Sequence, residues 1–164
     1  MHALQSYCRK IEPTGVLRRG EHSSNAIDFI CMTDDPGAVA ERVLRHTFRI
    51  KLDELRLSTA MQTGLGINIW FARPPVADIF QPIPSNFETM QVIHTPTRFY
   101  LKDLVRYVRS TGYFLNREKG LVTADNRQVA YTEAGIYDAL DLEMPPPSRM
   151  LDFRPKLIRN TAAF

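Results

Sequence analysis

Apolar and polar positions alternate most cleanly in Gly66–Ala72. There Ile67, Ile69 and Phe71 interleave with Asn68 and Trp70, the period of two that belongs to a strand, and Gly64 and Gly66 open it. Upstream, Ala26–Met32 (AIDFICM) is a run of bulky apolar residues and predicts a mostly buried strand. The Asp34-Asp35-Pro36-Gly37 boundary behind it is a helix start. An aspartate caps free backbone N–H groups, and proline fits the first helical position, where its missing donor costs nothing. The spacing predicts a helix from Pro36 to about Phe48 that buries Val39, Val43, Leu44 and Phe48. Phe48, Ile50 and Leu52 then alternate as a strand that breaks near Asp53, and Thr89–His94 reads as another short strand.

The strongest helical period follows Pro96. Leu101, Leu104, Val105 and Val108 recur at helical spacing and predict a helix over 97–110. Beside that stripe Arg98, Lys102, Arg106 and Arg109 share an arc of roughly 80°, at about 100° per residue. Four cations on one ridge repel each other, so the ridge is either well solvated or meets something negative. Next, Tyr113–Leu115 and Leu121–Val122 flank a polar turn, Gln128–Tyr131 returns as a hairpin strand over Asp125-Asn126, and Thr132-Glu133-Ala134-Gly135 leads into a short helix, Ile136–Leu142.

Proline marks two other stretches. Pro74, Pro75, Pro82 and Pro84 make 73–88 extended and irregular, yet it carries Val76, Ile79, Phe80, Ile83 and Phe87. Such an apolar loop covers its own core or docks on a neighbour. The last twenty or so residues, from Pro145-Pro146-Pro147 onward, have no period and hold Met150, Leu151 and Phe153.

These elements predict an α+β fold: a single domain with a small mixed or antiparallel sheet, two main helices and extended Pro-rich arms. The sheet is expected to use 26–32, 48–52, 66–72, 89–94 and the 121–131 region, with helices 36–48 and 97–110 on one side. Residues 1–25 form an N-terminal arm, 26–142 the core with the extended loop 73–88, and 143–164 a Pro-rich C-terminal tail.

Composition narrows the class. A chain of 164 residues that is 44% hydrophobic can bury a proper core, and 24% charged residues argue against wholesale disorder. The net charge of +3 permits an anionic partner without requiring one. Cys8 and Cys31 are too few for a disulfide framework, lack metal-ligand spacing, and are expected as free thiols, Cys31 as a small buried hydrophobe. No signal peptide or membrane span is visible, so a cytoplasmic or virion location is expected.

Catalytic chemistry finds little support. Nothing like a strand–turn–helix elbow surrounds Cys8, and the four histidines are far apart with no paired spacing. Gly64-Leu65-Gly66 precedes a strand, whereas a phosphate cradle follows one. No catalytic residue, metal ligand or cofactor is therefore expected, and the protein reads as a non-enzyme. Residues 120–141 resemble the wing of winged-helix DNA-binding domains: Gly120-Leu121-Val122 opens a strand, and the returning strand ends in Tyr131-Thr132-Glu133-Ala134-Gly135 before a closing helix. That family places a recognition helix directly before the Gly-Leu strand; here helix 97–110 would have to serve across a connector.

Two functions follow. The leading expectation is a structural or adaptor subunit of a larger assembly, such as a virion, tail or secretion-type complex, docking as a homo- or hetero-oligomer on other protein subunits through Ile79, Phe80, Phe87, Met150, Leu151 and Phe153. The alternative is nucleic-acid binding through Arg98, Lys102, Arg106 and Arg109, joined by Arg117, Lys119 and Arg127 of the hairpin, with Tyr100, Tyr107 and Tyr113 near enough to stack on bases.

Overall fold

The computed structural model describes residues 2–22, 24–47, 49–53, 55–77 and 82–157. In chain order its elements are α1 (His2–Gln5), β1 (Lys10–Thr14), α2 (Gly15–Arg18), β2 (Ala26–Met32), α3 (Pro36–Leu44), β3 (Arg49–Leu52), β4 (Arg56–Ala60) and β5 (Gly66–Ala72). There follow α4 (Phe87–His94), α5 (Arg98–Ser110), β6 (Phe114–Asn116), β7 (Gly120–Val122), β8 (Gln128–Ala130) and α6 (Glu133–Asp138). The result is a small mixed α+β domain with a five-stranded sheet, ordered β1-β2-β5-β4-β3, and a three-stranded sheet, β6-β7-β8.

In the larger sheet β2 and β5 run parallel, Ala26 opposite Gly66 through Met32 opposite Ala72, and their neighbours run antiparallel. A strand pair of this kind needs a crossover, supplied here by α3 and the β3–β4 hairpin. Side-chain alternation divides the sheet into two faces. Cys31, Leu57, Ile69 and Phe71 bury against Val39, Ala40 and Val43 of α3 on one face. Ile30 and Ala72 bury against Phe87 and Met90 of α4 on the other. A second core joins α4, α5, β7 and α6 through Val92, Tyr100, Leu104, Val108, Leu121, Ile136 and Tyr137.

The local signals account for most of these elements. Asp35 caps α3, its Oδ1 accepting from the Ala38 N–H at 2.9 Å, with Pro36 next in line. Thr97 caps α5 and Thr132 caps α6 in the same way. The α3 helix stops at Leu44, which is 52% exposed, rather than continuing to Phe48, a residue outside those described.

Three expectations need correction. Residues 89–94 belong to helix α4, not a strand: Phe87, Met90 and Gln91 recur at helical spacing and all three are buried, so tertiary packing overrides the strand preference of Val92 and Ile93. The 121–131 region builds its own sheet instead of joining the first. The segment 1–25 is no arm, because β1 pairs with β2 from Lys10 opposite Met32 to Thr14 opposite Asp28. The tail also folds back as far as residue 157: Leu142 bridges Leu157, and the Thr97 N–H donates to the Met150 carbonyl at 3.0 Å. Residues 158–164 lie outside the described residues, and among those described no helix is long and apolar enough to cross a membrane.

Candidate nucleic-acid interface

Helices α4 and α5 are joined by the short turn Thr95-Pro96-Thr97, and Thr95 is fully buried there. A buried threonine at a helix end must satisfy its hydroxyl and carbonyl. Its Oγ1 accepts from Arg18 Nη1 at 2.8 Å and donates to Gln91 Oε1 at 3.0 Å, while Arg19 donates to its carbonyl. Arg18 also grips Glu133, at the start of α6, with two bonds of 2.9 and 2.6 Å. The strand β1 and helix α2 therefore clamp the corner between α4, α5 and α6.

Held in this way, α5 buries Tyr100, Leu104 and Val108 and turns the opposite face outward. Arg98, Lys102, Arg106 and Arg109 are all exposed on that face. From Arg98 to Arg109 the ridge rises about 16 Å, at about 1.5 Å per residue. Half-buried Leu101 and Val105 run along its edge and complete a shallow groove with the four cations. Arg106 pairs with Asp103 at 2.9 Å. Arg98, Lys102 and Arg109 make no ion pair among the described residues. Phe99 stands on the same outer surface, in line with Lys102 and Arg106, and is 75% exposed.

The three-stranded sheet continues from α5 as an antiparallel meander. Its first turn is fixed by Asn116 Oδ1, which accepts from the Glu118 and Lys119 N–H groups at 2.8 and 3.1 Å. The second turn closes with the Thr123 N–H donating to the Arg127 carbonyl at 3.0 Å. Lys119 and Arg127 project from the two turns into solvent, and Lys119 Nζ reaches the Asn126 carbonyl at 3.4 Å.

Arg117 points elsewhere. Its Nε lies 3.1 Å from Met90 Sδ, its guanidinium sits 5.7 Å from the Trp70 ring centre, and Nη2 is buried with no hydrogen-bond partner. Trp70 also stacks on His94 with centroids 4.1 Å apart and carries Arg56 at 4.9 Å. Burial, with Arg117 and then Arg56 beside it, pulls the His94 pKa down to about 4.

No protein-family model and no curated protein sequence matches this chain.

The tyrosines singled out for stacking are not free to stack. Tyr100 is 3% exposed with its hydroxyl 3.1 Å from that of Tyr137, and Tyr107 and Tyr113 are half-buried against the second core. Phe99 was missed, although its spacing from Lys102 and Arg106 puts it on the cationic face. Of the residues expected to dock on partners, Phe87 and Met150 are buried inside this chain, at 3% and 0% exposure. Phe153 packs edge-on against Tyr100 at 5.2 Å, Leu151 is exposed, and Ile79 and Phe80 lie outside the described residues. The cleft at the carboxyl ends of β2 and β5 holds Arg9 and Arg73, but each meets a carboxylate: Asp34 at 2.6 Å and Glu118 at 3.5 Å. Neither has charge to spare for an anion.

Proposed function

We propose that this protein binds nucleic acid, with α5 laid along the phosphate backbone and the two turns of the meander reaching beside it. The observation that carries the proposal is the row of Arg98, Lys102, Arg106 and Arg109, exposed directly opposite the buried Tyr100, Leu104 and Val108. A helix pair with a three-residue turn, followed by an antiparallel meander, supports the same reading, because it presents the second helix and the strand turns together. Lys119 and Arg127 add charge at those turns, and Phe99 offers a surface on which an unpaired base can stack. Arg117 takes no part, being turned toward Met90 and Trp70.

Phosphate contacts make affinity fall with salt, each contact steepening the logarithmic slope by about 0.9 on duplex DNA and about 0.7 on a single strand. Anisotropy titrations of duplex and single-stranded probes at several salt concentrations test the proposal. The expected result is binding whose salt slope drops by about 3 when Arg98, Lys102, Arg106 and Arg109 are all changed to Gln. Absent or salt-independent binding sinks it. A second reading, docking as a subunit of a larger assembly, is supported by Val76, Ile83, Leu151 and Leu157, each between 44% and 61% exposed on the Pro-rich segments. A mass that rises with protein concentration in the same buffers, without nucleic-acid binding, favours that reading.

A further inference from the structure

Cys8 and Cys31 are 23 positions apart in sequence, and their sulfur atoms stand 2.7 Å apart. Cys31 lies in β2, opposite Ile11 of β1, and is fully buried. Cys8 lies in the short link between α1 and β1 and is half-buried above it. Both neighbours of Cys8 are tied to the end of the same strand: Thr33 Oγ1 donates to the Tyr7 carbonyl at 2.8 Å, and the Arg9 N–H donates to the Met32 carbonyl at 2.8 Å. The link therefore holds the two sulfurs face to face. A disulfide has an S–S length of about 2.05 Å, so less than about 1 Å of movement separates this pair from a bond.

We propose that Cys8 and Cys31 form a reversible intramolecular disulfide, a redox-modification site that staples the N-terminal segment to the larger sheet. The two thiols are not equivalent. Cys8 lines an open depression with Ser6, Arg9, Thr33, Asp34 and Ala38, so a small oxidant reaches it first. A hydrogen bond from the Cys31 thiol holds the Cys8 pKa below the usual thiol value, while donating that bond and being buried push Cys31 far above it. Cys8 is thus the attacking thiolate and Cys31 the resolving thiol beneath it.

With a low-molecular-weight disulfide such as oxidised glutathione, the steps balance. The Cys8 thiolate attacks one glutathione sulfur, breaking its S–S bond, and a glutathione thiolate leaves and takes a proton. The Cys31 thiol then gives up its proton, attacks the Cys8 sulfur and expels the second glutathione as thiol. Two protein thiols are oxidised and one small disulfide is reduced. The bond would close a loop containing β1 and α2, so the segment clamping the α4–α5 corner becomes cross-linked at its start. This inference does not depend on nucleic-acid binding.

The test is to incubate the full chain with oxidised glutathione, quench with acid, and map peptides by mass spectrometry without reduction. The expected product is a monomer lacking two hydrogens, with Cys8 and Cys31 in one linked peptide pair, a raised thermal midpoint and full reversal by dithiothreitol. Cys31→Ser should stop at a stable Cys8–glutathione adduct, and Cys8→Ser should leave Cys31 unmodified. If Cys31→Ser does not fold, the wild-type map alone decides. A persistent glutathione adduct on wild type, a disulfide between chains, or two unreacted thiols overturns the proposal.

Discussion

His94 illustrates how a single side chain can make the fold sensitive to pH. It stacks on Trp70, its Nε2 is buried with no hydrogen-bond partner, and Arg117 and Arg56 stand close by. Burial is the main reason its pKa falls from 6.5 to about 4, followed by the two guanidinium charges. The folded state therefore keeps this imidazole neutral, while the unfolded chain takes up a proton near pH 6.5. The stability tied to the neutral form is complete above that pH and is lost as pH falls towards 4, by up to about 1.4 kcal/mol per pH unit. Denaturant unfolding at stepped pH should show this decline in the wild-type protein. His94→Phe, which keeps the ring stack and removes the titration, should flatten the curve between pH 6.5 and 5, where few carboxylates interfere. An unchanged slope in that variant would place the proton elsewhere.

At the scale of elements, the meander depends on Gly120. Its φ is +80°, and a Cβ there would fall 2.1 Å from the Ala130 carbonyl oxygen, inside the ladder that pairs β7 with β8. Gly120→Ala should cost about 3 kcal/mol or more, since backbone strain of about 1–2 kcal/mol adds to a clash with main chain that cannot yield. Gly64 has φ of +83° with nothing near its missing Cβ, so Gly64→Ala should show the strain alone. Comparing the urea midpoints of the two variants separates the two costs. The sequence made this part of the molecule easy to read, because the Asn116–Gly120 turn and the α5 stripe are signals confined to a few neighbouring residues. What it concealed was set by distant contacts. Thr89–His94 carries β-branched residues yet is helical, because Phe87 and Met90 fill a gap on the sheet. The cationic ridge was legible from spacing alone, but the inward turn of Arg117 was not, since Trp70 and Met90 are remote in sequence.

For the molecule as a whole, the Arg18–Glu133 pair is, among the described residues, the side-chain bond that spans most of the sequence. It joins residues 115 positions apart, and its side chains are 22% and 10% exposed. Such a pair is worth little against an apolar replacement of both partners, yet removing one partner strands a charge. Arg18→Met should therefore lower unfolding free energy by about 3–5 kcal/mol, and adding Glu133→Gln should restore part of that loss. Chemical denaturation of the single and double variants checks both statements. A loss below about 1 kcal/mol would mean that solvent screens the pair. The same contact orders events during synthesis. Arg18 leaves the ribosome 115 residues ahead of its carboxylate partner. Until then β1 can pair with β2, and Arg18 can reach Thr95, but the charge of Arg18 waits for its carboxylate, so a segment made early is locked in place late.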